Sequence, residues 1–292
     1  MSCPKSVIVA CIALASVGAD PPNLAAAGRE YKDLAYAKVD GKELRLDLYL
    51  PADVTSPPLV VWIHGGAWNN GTKADPPRAF LDHGFAMASV DFRQASEARF
   101  PAQVHDIKAA IRFLRAQGQK YGYRTEKIAI AGSSSGAHLA ALVGVTTGHR
   151  ALEGSIGENR GVSSDVQAAV AYYPATNLTT ILPQSTPYGV NMRVPALVRL
   201  LGAKPEETKE LSELASPVFH VDKNDPPIRL LHGDQDPQMP INQSHELEGA
   251  YEKLGLDAHL DVVHGAAHGG PAFWEPVHLN PVLDFLKRTI GR

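Results

Sequence analysis

The sequence predicts an α/β fold built on a mostly parallel sheet with helices on both faces. Apolar runs of strand length alternate with amphipathic helix patterns, the order that βαβ units produce. Some of these runs, such as residues 58–63, are apolar throughout and rich in β-branched residues, which is typical of strands buried on both faces. The 292 residues suffice for one large domain.

Eight strands are predicted along the chain. Strict alternation over residues 43–50 indicates a half-buried strand, and the turn signal Asp40-Gly41 pairs it with a strand near residues 36–39. The others are predicted at residues 58–63, 84–91, 127–131, 166–173, 227–232 and 258–263. Helix patterns cover about residues 76–83, 101–114, 136–142, 241–254 and 278–290.

Residues 177–215 interrupt this alternation with several prolines and glycines and a short helical pattern at residues 194–201. We interpret them as an insertion over the carboxyl edge of the sheet. The alternative is a long tethering loop without a role in binding.

The N-terminal segment has the composition of a targeting sequence. Lys5 precedes a short apolar run at residues 6–17, and the small residues Gly18 and Ala19 follow. This order is typical of a secretory signal peptide, and the run is too short to span a bilayer comfortably. We therefore expect a signal peptide at residues 1–19, a linker at 20–30, a single domain at 31–292, and a secreted or periplasmic protein. The alternatives are a lipoprotein signal at residues 8–11 and an uncleaved tail.

Composition excludes several classes of partner and chemistry. The formal net charge is −3 and no basic stripe is present, so nucleic acid and anionic membrane surfaces are not expected partners. Both cysteines, Cys3 and Cys11, lie within the predicted signal peptide. The predicted domain therefore has no thiol nucleophile, disulfide or thiolate metal site.

The strongest chemical signal is Gly-Ser-Ser-Ser-Gly at residues 132–136, directly after a predicted strand and before a predicted helix. In the pattern G-x-S-x-G the glycines relieve crowding at a sharp turn, so that the central Ser134 exposes its hydroxyl group. The following helix directs its positive end towards the site. A plain turn and a phosphate-binding loop are the alternatives, but no lysine follows at the Walker position. Ser133 and Ser135 are off-centre alternatives as nucleophile.

A second motif, His-Gly-Gly-Ala-Trp at residues 64–68, follows the predicted strand at 58–63. Glycines let backbone N–H groups approach a ligand closely, and such groups stabilise the oxyanion of acyl transfer. Gly65 and Gly66, with Ala67 as a further possibility, are predicted to form this oxyanion hole together with the N–H of Ser135. A plain turn is the alternative, and His64 is expected to brace the loop.

Two later motifs supply candidates for an acid and a base. Asp234 and Asp236 follow the strand at 227–232, and His264 and His268 follow the last strand. The chain order serine, aspartate, histidine is the order of a hydrolase triad on this kind of sheet. We favour His268 as the base, with His264 as the alternative. A metal site is not expected, since the H-E-x-x-H pattern is absent.

With these four motifs, residues 30–290 resemble the α/β-hydrolase superfamily, and especially bacterial esterases and lipases related to hormone-sensitive lipase, in the feruloyl- and acetyl-esterase-like branch. The quoted motifs carry the resemblance, together with Val-Asp-Phe-Arg at residues 90–93, the stretch at 100–115 and Pro-Pro-Ile-Arg-Leu-Leu-His-Gly-Asp-Gln-Asp-Pro at 226–237. The resemblance implies an eight-stranded α/β-hydrolase fold with no cofactor. It also implies Asp236, rather than Asp234, as the acid, and His268 as the base.

Two residues and one segment depart from that family. Ala67 replaces the usual third glycine, Ser135 replaces the usual alanine after the nucleophile, and no large N-terminal cap is expected, since only about 35 residues separate the predicted signal peptide from the strand at 58–63. The two-donor hole stays intact, but the acyl pocket is expected to be more open.

These observations together predict a serine carboxylic-ester hydrolase that forms an acyl-enzyme. Acetyl or feruloyl esters of plant polysaccharides, or other short-chain esters, are the expected substrates. Ala67, Trp68, Tyr188 and Trp274, with Phe273 beside the last, are candidates for the substrate pocket, with simple packing as the alternative for each. Two other functions stay open: an amide or formamide hydrolase of the kynurenine-formamidase type, and a binding protein that has lost catalysis.

Overall fold

A computed structural model describes residues 28–74 and 76–291. The predicted signal peptide at 1–19 lies outside the described residues, as does the predicted linker up to residue 27. The first strand begins at Arg29, so the last two residues of the predicted linker, 29 and 30, belong to the sheet instead.

One eight-stranded sheet forms the centre of the molecule, as the sequence predicts. Its spatial order is β1-β2-β4-β3-β5-β6-β7-β8. Strands β1 and β2 form an antiparallel hairpin, β2 pairs antiparallel with β4, and all remaining pairs are parallel. The strands are β1 (Arg29–Val39), β2 (Lys42–Leu50), β3 (Leu59–Ile63), β4 (Ala86–Val90), β5 (Ile128–Ser133), β6 (Ala168–Tyr172), β7 (Ile228–Gly233) and β8 (Ala258–Val263).

Helices cover both faces of this sheet. They are α1 (Ala79–Asp82), α2 (Ala102–Tyr121), α3 (Ser135–Gly144), α4 (Arg150–Glu153), α5 (Ile181–Gln184), α6 (Pro187–Leu201), α7 (Lys209–Leu214), α8 (Asn242–Glu252) and α9 (Pro276–Ile290). Helices α2, α3 and α8 pack on one face, whereas α1 and α9 pack on the other. Two hydrophobic cores result: the first lies under α2, α3 and α8, and the second lies under α1 and α9. Strand β3 is apolar throughout because it contributes to both, with Val61 in the first core and Val60 in the second.

The insertion at residues 177–215 is more helical than the sequence predicts. Helix α6 begins at Pro187, seven residues before the predicted pattern, and the Thr186 hydroxyl caps it by accepting from the N–H of Gly189 at 3.0 Å. Gly189 and Pro195 weaken the helical pattern in the sequence. Burial of Leu197 and its neighbours against the core outweighs that weakness.

The parallel strands bring their carboxyl ends to one edge of the sheet. The loops that follow β3, β5, β7 and β8 all carry candidate residues, so the fold gathers them there. Within residues 28–74 and 76–291, no helix has the length and apolar character needed to cross a membrane.

Candidate active site

Ser134 occupies a sharp turn between β5 and α3. Its backbone has φ 53° and ψ −121°, a strained conformation that its N–H helps to hold by donating to the carbonyl oxygen of Tyr172 at 2.9 Å. A Cβ atom on Gly132 would lie 2.5 Å from the Gly136 carbonyl oxygen, and one on Gly136 would lie 2.2 Å from that of Ile63. Both flanking glycines are therefore sterically required.

The structure brings Ser134, His268 and Asp236 together. The Ser134 Oγ lies 2.8 Å from the Nε2 of His268, and the Nδ1 of that ring lies 2.6 Å from the Oδ2 of Asp236. If Nδ1–H donates to the carboxylate, Nε2 is left as an acceptor for the serine hydroxyl. The arrangement can therefore remove a proton from Ser134 and return it to a leaving group.

The carboxylate of Asp236 is held in its ionised form. Burial raises the pKa of Asp236, but hydrogen bonds from His232, His268 and the N–H of Met239 outweigh burial and bring the pKa below its usual range. The Oδ1 atom accepts from the N–H groups of Gln238 and Met239, each at 2.8 Å. Four donors therefore surround a side chain that is almost fully buried.

His232 supports Asp236 from behind, a role that the sequence analysis missed. Its Nε2–H donates to the carbonyl oxygen of Met239 at 3.0 Å and lies 3.5 Å from the Oδ2 of Asp236. Its Nδ1 then accepts from the hydroxyl group of Ser244 at 2.7 Å. The available signal was a histidine at the end of a buried strand, four residues before the candidate acid.

The alternative acid and base pair with each other instead of with Ser134. The Nδ1 of His264 lies 2.9 Å from the Oδ2 of Asp234, whose Oδ1 accepts from the N–H of Gly265 at 2.7 Å. This pair is solvent-exposed and lies off the wall of the cavity at Ser134.

The loop after β3 approaches the Ser134 turn through its glycines. A Cβ atom on Gly65 would lie 3.3 Å from the Cβ of Ser134, and one on Gly66 would lie 2.0 Å from the carbonyl oxygen of Asn70. Ser135 begins α3, so its N–H has no carbonyl partner within that helix. The backbone N–H groups of this loop and of Ser135 are thus available at the edge where an oxyanion would form.

The side chain of His64 contacts the loop after β3 in a way that can hold its conformation. Its ring stacks on Phe92 with centroids 4.6 Å apart, and its Nδ1 donates to the carbonyl oxygen of Gly65 at 2.7 Å. Burial lowers the pKa of His64, although Gly65 and Asp91 partly oppose that effect. The neutral ring therefore predominates at pH 7 and supports the loop through packing and one hydrogen bond.

A cavity of about 360 Å³ opens at Ser134 and His268. Of the predicted pocket residues, only Ala67 lines it. The assignment of Trp68 to the pocket is wrong, because its side chain is fully buried and its indole N–H donates to the Nδ1 of His138 at 2.9 Å. The φ angle of Trp68, 58°, belongs to a turn that carries the indole into the core.

Trp274 and Tyr188 also lie off the wall of this cavity. Trp274 stacks on Tyr172 with centroids 4.9 Å apart and joins the second core, beside the buried Phe273. Tyr188 lies half-exposed near the start of α6. In place of these aromatic residues, the structure puts Tyr173 on the cavity wall, with its ring centroid 4.6 Å from that of His268.

A serine on a strained strand-to-helix turn, a buried aspartate–histidine pair and this strand order define an α/β-hydrolase. The family model described as BD-FAE matches residues 46–251. The chain therefore belongs to the BD-FAE family.

Solved structures with a similar fold include two proteins that are also similar in sequence. A truncated carbohydrate esterase from gut microbiota is 29% identical with a TM-score of 0.82, covering 94% of this chain and 100% of that one. A bifunctional GH43-CE protein from Bacteroides eggerthii is 36% identical with a TM-score of 0.78, covering 89% of this chain and 35% of that one.

Curated relatives are longer proteins. Esterase LipC from Mycobacterium tuberculosis is 29% identical over 267 residues, which is 84% of this chain and 65% of LipC. Esterase LipQ from the same organism is 28% identical over 267 residues, which is 86% of this chain and 61% of LipQ. The chain thus spans less than two thirds of these relatives.

Proposed function

We propose that this protein is a serine carboxylic-ester hydrolase with Ser134 as nucleophile, His268 as base and Asp236 as the acid that orients the base. The proposal rests mainly on two contacts of His268. Its Nε2 lies 2.8 Å from the Ser134 Oγ, and its Nδ1 lies 2.6 Å from the Oδ2 of Asp236. Family membership and the esterase names of its relatives support the same chemistry.

The proposed reaction proceeds in two halves. His268 takes the proton of Ser134 as the Oγ attacks the ester carbonyl, and the oxyanion is stabilised by the N–H groups of Gly65, Gly66 and Ser135. The alcohol leaves with the proton from His268, and Ser134 holds the acyl group. Water, activated by His268, then attacks this acyl-enzyme and releases the acid.

The proposed substrates are acetyl or feruloyl esters of plant polysaccharides, or other short-chain esters. The cavity wall is rich in polar side chains, among them Asn70, Ser133, Arg193 and Gln238, which suits a hydroxyl-rich substrate better than a long acyl chain. The structural neighbour described as a carbohydrate esterase favours the same class. Plant polysaccharides are extracellular, so an enzyme that acts on them has to be exported. The predicted signal peptide therefore supports this substrate class.

Hydrolysis of a p-nitrophenyl ester series from acetate to octanoate, with methyl ferulate and acetylated xylan alongside, tests this proposal. We expect Ser134→Ala to lower kcat by roughly 10⁶, as loss of the nucleophile does in other triad hydrolases. The control is Ser155→Ala, since Ser155 is exposed and lies off the cavity wall. Ester hydrolysis that survives Ser134→Ala would contradict the mechanism. Activity on N-formyl amides alone would favour the formamide hydrolase.

A further inference from the structure

Arg193 is a buried cation on the wall of the proposed catalytic cavity. It lies on α6, within the insertion, and only 3% of its surface is exposed. It lines the same cavity as Ser134 and His268. The helical pattern predicted from the sequence begins one residue after Arg193, and the sequence did not predict that Arg193 lines the cavity.

Most donors of this guanidinium have no partner among the residues that the structure describes. The Nε–H of Arg193 donates to the carbonyl oxygen of Gln238 at 3.1 Å. Within the described residues, its terminal nitrogens have no hydrogen-bond partner, and no carboxylate lies within 4.0 Å of them. Among the described residues, these nitrogens do not belong to the polar atoms that are buried without a partner, so they keep some access to solvent. Because Arg193 lines the cavity, we infer that they face it.

Contacts between α6 and the Asp236 loop fix the position of this cation. The Thr186 hydroxyl donates to the carbonyl oxygen of Pro237 at 2.9 Å, and a Cβ atom on Gly189 would lie 3.1 Å from the same oxygen. With the Arg193–Gln238 bond, these contacts tie the helix to the loop that carries Asp236. The guanidinium is therefore held in place relative to the reacting groups.

A buried charge without a counter-ion is costly, and a bound anion offsets that cost. Burial lowers the pKa of Arg193 and Asp236 partly opposes it, yet a guanidinium remains protonated in proteins. Its planar array of donors matches a carboxylate, with which it forms paired charge-assisted hydrogen bonds. A neutral ester brings no carboxylate to the terminal nitrogens of Arg193.

We propose that Arg193 determines specificity by binding a carboxylate group of the substrate. The inference rests on the proposed ester hydrolysis and narrows it to esters that carry a carboxylate near the scissile bond. The carboxylate belongs either to the alcohol part, as in a uronic acid, or to the acyl part, as in a dicarboxylic half-ester. This assigns a binding role to the insertion at residues 177–215.

Two matched ester pairs test the proposal and separate the two sources. The alcohol side is probed with 4-acetoxybenzoate against its methyl ester, and the acyl side with p-nitrophenyl hemisuccinate against p-nitrophenyl butyrate. The readout is the ratio of kcat/KM for the anionic and neutral members, compared between wild type and variant, so that intrinsic reactivity cancels. We expect Arg193→Gln to lower this ratio about tenfold to hundredfold for one pair, as loss of a charge-assisted contact predicts.

Controls distinguish binding from a structural role. Arg193→Lys keeps the charge and should retain part of the preference, and Arg199→Gln, an exposed change on the same helix, should leave the ratio at the wild-type value. Equal losses on both members of each pair, or an unchanged ratio in Arg193→Gln, overturn the proposal. If neither pair is hydrolysed through Ser134, the proposed function itself fails.

A measurement on the wild type alone covers the case in which the variant does not fold. Glucuronate, for the alcohol side, or succinate, for the acyl side, should inhibit hydrolysis of the neutral esters competitively, whereas glucose at the same concentration should not. Equal inhibition by all three compounds overturns the proposal even when ester hydrolysis is normal.

Discussion

Two aspartate–histidine pairs lie side by side after β7 and β8, and only one of them reaches Ser134. The Nδ1–Oδ2 distance is 2.6 Å between His268 and Asp236, and 2.9 Å between His264 and Asp234. Residue types and chain order are the same in both pairs. Neither composition nor the length of one hydrogen bond distinguishes the pair at the candidate site from the pair at the surface.

Burial and surrounding donors distinguish them. The side chains of Asp236 and His268 are 1% and 11% exposed, whereas those of Asp234 and His264 are 31% and 83% exposed. Water screens the exposed pair and lets its side chains move, so the pair contributes little to stability. The buried pair has a defined orientation because backbone N–H groups and His232 also hold the carboxylate. The two pairs therefore differ in two respects: only the buried pair has a neighbouring serine hydroxyl, and only its carboxylate is shielded from water by surrounding hydrogen-bond donors.

The largest expected difference between the two pairs is the loss of kcat when the histidine of each pair is replaced in turn. We expect His268→Ala to lower kcat for a p-nitrophenyl ester by roughly 10⁶, because a triad acts as a unit and loss of its base is nearly as severe as loss of its nucleophile. His264→Ala is the matched control and should change kcat less than twofold. Steady-state kinetics with both variants measures this contrast. A comparable loss in the two variants would mean that the exposed pair takes part in the reaction.

Removing one charge from each pair should give the next largest contrast. We expect Asp236→Asn to lower kcat by about 10⁴, since an amide at this position favours the wrong tautomer of His268. Asp234→Asn should leave kcat near the wild-type value, because its histidine does not contact Ser134. The pH profile of kcat/KM supplies a second readout. A wild-type profile in Asp236→Asn would contradict the assignment of Asp236.

Much of the fold and the meeting of Ser134, Asp236 and His268 could be predicted from the sequence. Apolar period and turn residues indicated all eight strands, since a sheet covered on both faces leaves a strong pattern. The steric needs of a strand-to-helix turn pointed to Ser134. Spacing alone could not choose Asp236 over Asp234, because both follow the same strand, so that choice came from the family resemblance.

The walls of the site could not be predicted, because they depend on contacts between distant parts of the chain. Trp68 follows the glycine loop directly, but a turn with positive φ carries its side chain to His138, 70 residues away. Arg193 lies in a helix whose sequence contains a glycine and a proline, so its pattern was weak. Tyr173 directly follows β6, and only the sheet order brings it to His268.

The smallest expected effect concerns stability in acid and again separates Asp236 from Asp234. The pKa of Asp236 in the folded protein lies below its usual value, so its stabilising contribution is present above about pH 4. That contribution is lost as pH falls from there through the folded pKa, because the unfolded chain binds the proton first. The free energy of unfolding, from urea titrations, should therefore be higher for wild type than for Asp236→Asn at pH 7.

This difference should narrow by about 1 kcal/mol between pH 5 and pH 3, as the carboxylate of the unfolded chain becomes protonated. Asp234→Asn in the same titrations should show a smaller difference from wild type at each pH, because water screens the exposed pair. If the difference in the free energy of unfolding between wild type and Asp236→Asn stays constant or grows towards pH 3, Asp236 is not ionised in the folded protein. The stability of the buried pair and its chemistry should thus depend on one charge, because the hydrogen bonds that keep Asp236 ionised also orient His268.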